Sequence, residues 1–276
     1  MTEKIKKILL FGSTGMLGRY IYSYFTQYTD IQVLKIPFRI TSENLQNVEN
    51  ILVENSINQE SCVINCIGLI PQRKEGTQTN SEYFLINGVF PHLLWNICKK
   101  YKSKMIQPTT DCVFSGKKGM YIETDVHDEM NSYGMSKSIG EPFGCTVIRT
   151  SIIGNELINK KSFLEWVLSN NNSKINCWNN HLWNGITCLE YCEIINEIIN
   201  KNLFWTGVRH IFSPTPKSKY ELARIIADVF NLNIEINKTE TLENVDKTLS
   251  SKYELLFEIK ELNIQINHLK NFKLII

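Results

Sequence analysis

Three glycines spaced three apart, Gly12, Gly15 and Gly18, follow a short β-rich run and open a helix-like one. Backbone without Cβ can approach a pyrophosphate closely, and the free amides at a helix start supply an anion-binding field. The order strand, glycines, helix, second strand predicts a dinucleotide-binding turn rather than a mere tight turn. Thr14, Met16 and Leu17 lie inside the same segment. Folds of this kind that prefer NAD place Asp or Glu at the end of the second strand. Here Ile36-Pro37-Phe38-Arg39 stands there, and Arg19 directly follows the last glycine. A planar fixed cation suits a 2′-phosphate, so NADP is the expected cofactor, with NAD as the alternative. Either arginine could instead be a solvated surface group.

Tyr133 and Lys137 are four apart, with Asn131 or Ser132 available to cap a helix start, so a phenol and an ammonium would share one helical face. An ammonium beside a phenol favours the phenolate, which lets tyrosine exchange a proton with a carbonyl oxygen near neutral pH. Alone, the spacing describes many surface pairs; downstream of a nucleotide turn it reads as chemistry.

Both groups need a scaffold. Short apolar runs at Lys7–Phe11, Ile31–Ile36, Ser61–Ile67, Lys104–Gln107 and Thr146–Thr150 alternate with helical patterns at Met16–Gln27, Glu43–Asn55 and Ser81–Lys100. That βα rhythm predicts an α/β fold with a doubly wound parallel sheet of Rossmann type. Pro91 bends or restarts the third helix near Gly88. Past Gly154 the rhythm loosens. Helices are expected at Leu189–Lys201 and Ser218–Phe230, and Thr239–Lys247 reads as a polar loop. The expected division is a nucleotide-binding domain over 1–154 and a smaller α/β substrate lobe over 155–276, some of whose segments return to the sheet.

Composition narrows the function classes. The chain has 30 Lys plus Arg against 28 Asp plus Glu and no basic block interleaved with aromatics, which disfavours nucleic acid. No apolar run reaches the roughly 18 to 20 residues of a membrane span, and the opening apolar run is too short for a secretion signal. The eight cysteines are scattered without a CxxC pair, as in a reduced cytoplasmic protein. Cys188 and Cys192 are one helical turn apart, yet no further cysteine pair or histidine spacing completes a metal site, so none is expected.

Several ordered motifs resemble the extended short-chain dehydrogenase/reductases, and within them the dTDP-4-dehydrorhamnose reductase branch of nucleotide-sugar enzymes. They are the Phe11–Gly18 turn, Val63-Ile64-Asn65-Cys66-Ile67-Gly68, Asn87, Thr109-Thr110-Asp111-Cys112-Val113-Phe114-Ser115-Gly116, Tyr133 through Lys137 with Gly140-Glu141, and Arg149-Thr150-Ser151. The resemblance spans about residues 5 to 235. It implies that Thr110 hydrogen-bonds the substrate oxygen, that Tyr133 is the general acid, and that Lys137 binds the nicotinamide ribose while lowering the phenol pKa. It further implies that Cys66, Ile67 and Gly68 line the dinucleotide path and that Asn87 orders the site. Asp111, Cys112, Val113, Phe114, Arg149, Lys161 and Trp183 are the substrate-side candidates, and the substrate would be a nucleotide-linked sugar ketone, typically at C4. A homodimer is compatible with this family.

The departure from the branch is Cys112, where the reductases commonly carry an aromatic residue. In related GDP-fucose synthases a cysteine in that slot exchanges protons beside the ketone, and Lys160 or Lys161 lies near where those epimerases supply a second group. Three functions follow: a nucleotide-sugar 4-ketoreductase, a bifunctional 3,5-epimerase/4-reductase using Cys112, or a non-catalytic NADP-binding regulatory subunit. Trp178 and Trp183 could stack a base or simply fill the core.

Overall fold

A computed structural model describes residues 4–71, 79–157 and 160–275. In chain order the first half contains β1 (Lys7–Phe11), α1 (Met16–Tyr28), β2 (Gln32–Ile36), α2 (Val48–Glu54), β3 (Ser61–Asn65), α3 (Asn80–Tyr83), α4 (Phe90–Lys100), β4 (Lys104–Thr110), α5 (Ser132–Ile139) and β5 (Thr146–Thr150). The second half contains β6 (Ile152–Ile153), α6 (Phe163–Ser169), β7 (Lys174–Trp178), β8 (His181–Trp183), β9 (Ile186–Thr187), α7 (Cys188–Asn200), β10 (Gly207–His210), β11 (Lys217–Ser218), α8 (Lys219–Phe230), β12 (Glu235–Thr239), β13 (Val245–Asp246) and α9 (Leu262–Asn271).

Six strands form one parallel sheet in the order β10-β5-β4-β3-β1-β2. The expected doubly wound α/β fold is present. β3 and β5 are buried at every position and β1 nearly so, because helices cover both faces and leave no solvent side for polar residues to alternate onto. One core packs Ile8, Leu10 and Ile64 against α1, α7 and α9; the other packs Leu9, Phe11 and Val63 against α2 and α4. From β1 the chain steps to β2 on one side, and from β3 it steps to β4 on the other. The crevice beyond the carboxyl ends of β1 and β3 is therefore the switch point where such sheets hold ligands.

Three differences from expectation matter for the site. β4 runs three residues further, through Thr110, carrying Pro108 inside a central strand. Pairing with β3 stops at Ile106, so the missing Pro108 amide falls where β5 is the only paired neighbour. The helix expected over Ser81–Lys100 is α3, a π-helical turn at Phe84–Val89, and α4. Pro91 sits in the first turn of α4, where an absent N–H costs little. In the stretch read as a polar loop, Val245–Asp246 forms a strand beside β8, and α9 went unread because its inward face mixes Gln265 with Leu262, Ile266 and Leu269. No helix among the described residues is long and apolar enough to cross a membrane.

Candidate active site

The glycine turn makes its cradle at the switch point. Gly12 has φ of +71°, and a Cβ there would lie 2.6 Å from the Cys66 carbonyl carbon and 2.7 Å from the Ile67 amide. A Cβ on Gly18 would fall 2.2 Å from the Gly12 carbonyl oxygen, so α1 can pack on the turn only through glycine. Gly15 caps α1 without a side-chain bond, which leaves the first amides of that helix free. In front of them lies a cleft of about 540 Å³ lined by Gly12, Thr14, Gly15, Met16, Arg19, Phe38, Arg39, Cys66, Ile67 and Gly68, among others. A cradle closed to any side chain, helix amides and a cleft of this size fit a dinucleotide. Arg19 donates from Nε to the Thr14 carbonyl at 2.8 Å, and Arg39 is exposed at the cleft, its carbonyl accepting from Asn44 at 2.6 Å. Leu17 is buried in the core beneath, so only its backbone belongs to the turn.

Asn87 is placed by the π-helical turn, a distortion that recurs at functional sites. Its side chain accepts from the Leu69 amide at 2.8 Å, donates to the Leu69 carbonyl at 3.0 Å and donates to Ser136 Oγ at 3.1 Å. It thus ties the loop after β3 to the helix that carries Tyr133 and Lys137. That helix starts on an Asn131 cap and ends at Gly140, where a Cβ would lie 1.7 Å from the Asn87 carbonyl oxygen. Asn87 does not itself line the cleft among the described residues.

Thr110, at the end of β4, is buried and donates to Asp111 Oδ1 at 3.1 Å while accepting from the Cys112 amide at 3.1 Å. The Tyr133 phenol is close enough to the Thr110 hydroxyl to be lowered by it. Its ring meets Tyr83 edge-on, with centroids 6.4 Å apart. Lys137 Nζ donates to the Pro108 carbonyl at 3.4 Å, and a Cβ added at Gly68 would lie 4.0 Å from it. Burial pushes the phenol up, Cys112 adds to that, and Thr110 is the strongest opposing influence. Burial pushes the Lys137 ammonium down, opposed by Glu141 and Cys66. The ammonium is directed toward the Pro108 carbonyl.

The substrate-side expectations divide sharply. Asp111 and Cys112 face the cluster: the Cys112 thiol donates to Asp111 Oδ1 at 3.6 Å and is pushed up to about 12, by burial first and then by Asp111. Val113 and Phe114 are fully buried behind it, with Phe114 stacked on Tyr121 at 4.1 Å, so neither offers surface to a ligand. Arg149 is also buried: it donates to Glu141 at 3.0 and 2.6 Å, to His210 at 2.8 Å and to His127 at 2.8 Å, over the Phe114 ring. Its donors are committed to these partners, which corrects its assignment to the substrate. Trp183 is core, 3% exposed, beneath the Lys219 ammonium. Lys161 rims the dinucleotide cleft instead of facing Cys112, and Lys160 is exposed.

The cations whose charge reaches Asp111 and Cys112 escaped sequence reasoning. Lys219, the first residue of α8, and Lys247, just past β13, both hold the Asp111 carboxyl down against the burial that raises it. Lys219 is itself pushed down by burial and lies 5.0 Å from the Phe163 ring centroid and 5.3 Å from that of Trp183. Ser218 with Glu221 forms a capping box, which was legible as the start of a helix; what that start faces was not.

The profile described as the RmlD substrate binding domain matches residues 6–271. The chain belongs to that family. Its parallel six-stranded sheet and ordered motifs place it among the extended short-chain dehydrogenase/reductases, as the resemblance implied. The fold agrees with a Bacillus anthracis dTDP-4-dehydrorhamnose reductase solved with NADP, at a TM-score of 0.79 and 16% identity, covering 96% of this chain and 99% of that one. It also agrees with a hypothetical dTDP-4-dehydrorhamnose reductase from Sulfolobus tokodaii, at 0.72 and 22%, covering 88% and 91%. In sequence the chain is 23% identical to bovine (Bos taurus) methionine adenosyltransferase 2 subunit beta over 255 residues, 82% of this chain and 73% of that protein.

Proposed function

We propose that this member of the family reduces the C4 ketone of a nucleotide-linked 4-keto-6-deoxyhexose, with NADPH as the reductant. One observation carries the reading: Thr110, Tyr133 and Lys137 converge at the carboxyl ends of β3 and β4, beside a glycine cradle that fits a dinucleotide. When bound, the dinucleotide supplies the hydride. Gly12, Gly15 and the α1 amides would hold its pyrophosphate, and Lys137 its ribose. Arg19 and Arg39, with no carboxylate at the end of β2, favour the 2′-phosphate of NADP. Tyr133 donates its proton to the ketone oxygen, and Thr110 positions that oxygen. Residues 155–276 provide the substrate side through Lys219 and Lys247 from α8 and the segment after β13.

In the epimerase alternative Cys112 is one proton-transfer group, and burial with Asp111, which push its thiol up, favour it as the acid of the pair. The regulatory alternative keeps one support: the curated relatives are subunits named for another enzyme. Anaerobic incubation with NADPH and a panel of nucleotide-linked 4-keto-6-deoxyhexoses separates the two. Loss of reduced-nicotinamide absorbance with a C4 alcohol identified by NMR supports the reductase; tight NADPH binding with no turnover on any ketone of the panel supports the regulatory subunit.

A further inference from the structure

Lys137 is flanked on α5 by two serines that leave the helix on either side of it, each about 100° away around the axis. Each serine is bonded from a different element. Ser136 Oγ accepts from the Asn87 side chain at 3.1 Å, and Ser138 Oγ is hydrogen-bonded to His127 Nδ1. The other ring nitrogen of His127, Nε2, stands 2.8 Å from Arg149 Nη2. A guanidinium has donors only, so Nε2 is the acceptor and the ring is the neutral tautomer that carries its proton on Nδ1. Ser138 Oγ then accepts that proton.

The segment holding His127 is itself fastened to the loop after β4. Asp128 accepts from the Ser115 amide at 2.7 Å and from the Ser115 hydroxyl at 2.5 Å, and the Glu129 amide donates to the Val113 carbonyl at 3.2 Å. Arg149 stands opposite Thr109 in the sheet, one residue before Thr110. We infer that His127 is a positioning residue: its neutral ring joins Arg149 on β5 to Ser138 on α5, and so fixes the helix bearing Tyr133 and Lys137 against the strand end bearing Thr110.

Protonation breaks the join. With a proton on each nitrogen, Nε2 meets an arginine that can only donate and carries the same charge, so the ring turns away and Ser138 is released. The groups facing the ring are Arg149 from β5, Glu141 just past α5, Asp128 beside it in the chain, and the edge-on Phe114 ring at 5.5 Å. Burial first, then Arg149, hold the imidazole below its ordinary range against Glu141 and Asp128, so release falls on the acid side. Two other ties of α5 do not depend on that proton: Asn87 is uncharged, and His92 donates to the Ile139 carbonyl at 2.7 Å in either charge state. The catalytic consequence rests on Tyr133 as the proton donor, but the position of α5 is read without turnover.

A ring-fluorinated tyrosine placed at position 133 reports the seating of α5 through its fluorine resonance, and nitrogen-15 histidine spectra give the tautomer and titration of His127 in the same protein. The Nδ1–H form is expected at neutral pH, and the fluorine resonance should shift as pH falls through the His127 titration. Ser138→Ala, which leaves every partner of Arg149 in place, should show the acid-side resonance at all pH. His127→Gln, whose amide both accepts and donates, should hold the neutral-side resonance throughout. With Tyr133 as the proton donor, Ser138→Ala also lowers kcat about tenfold with KM little changed, and His127→Gln keeps it. An Nε2–H ring, a fluorine resonance indifferent to the His127 titration, or a glutamine variant that behaves like Ser138→Ala overturns the inference. The expected fluorine shifts in a chain that reduces no ketone would support the positioning and defeat the reductase reading.

Discussion

The glycine cradle and the cluster around Asp111 are built in opposite ways. At the dinucleotide end, the glycine turn, the α1 amides and both arginines come from residues 12 to 39, joined to the adjacent end of β3. In the other cluster, Asp111 and Cys112 feel the charges of Lys219 and Lys247, which arrive from more than a hundred residues away. The first end is fixed by local backbone geometry, so a single atom in the wrong place destroys it. The second is fixed by packing between distant segments, so its groups shift their charges in response to burial.

The largest break in that contrast should come at Gly12. Gly12→Val forces a branched side chain into φ of +71° and against the Cys66 and Ile67 backbone. NADPH affinity, followed by nucleotide fluorescence, should fall by more than about a hundredfold. Retained affinity would show that the cradle is not the binding turn.

Next in size is a test of the wall behind the substrate end. Arg149→Met leaves Glu141 buried without its partner and should cost about 3 to 5 kcal/mol in chemical denaturation. At a temperature where the variant stays folded, its affinity for a substrate analogue should be unchanged. A variant of normal stability and weakened ligand affinity would return Arg149 to the ligand.

The same residue shows what could be read without coordinates and what could not. Five of the six strands of the sheet (β10 went unread), the glycine turn, the Tyr133 and Lys137 pair and the break near Pro91 all follow from spacings within one or two turns of chain, and each stands close to where it was expected. Arg149 at the end of a strand looks the same in sequence whether it reads a substrate or closes a buried network. Its partners His127, Glu141 and His210 are separate in the chain and converge only through the sheet. Lys219 and Lys247 were missed for the corresponding reason: a lysine at a helix start or after a polar turn carries no local sign of what it will face.

A smaller effect is expected at the dinucleotide end. Arg39→Ala and Arg19→Ala should each reduce the preference for NADPH over NADH by about tenfold, the value of one charge-assisted hydrogen bond. An unchanged ratio in both variants would assign these arginines to solvent.

The smallest is a pH effect. His210 is depressed to about 4, by burial and then by the Arg149 charge. Its Nε2 accepts from Arg149 and its Nδ1 donates to the Ser250 carbonyl, so the folded protein favours the neutral ring. Stability is therefore fully present above about 6.5, where the unfolded histidine titrates, and declines as pH falls from there toward about 4. His210→Gln should flatten that decline in thermal melts, whereas an equally steep decline would place the titrating group elsewhere.

The central claim, that Tyr133 delivers the proton beside a bound dinucleotide, is met most directly by Tyr133→Phe in single-turnover reduction with NADPH carrying deuterium at the transferred position. The account predicts that wild-type protein places the label on the ketone carbon, and that the variant binds NADPH with nearly unchanged affinity but reduces the ketone at least about a hundredfold more slowly. Label transfer at an undiminished rate in the variant would contradict it.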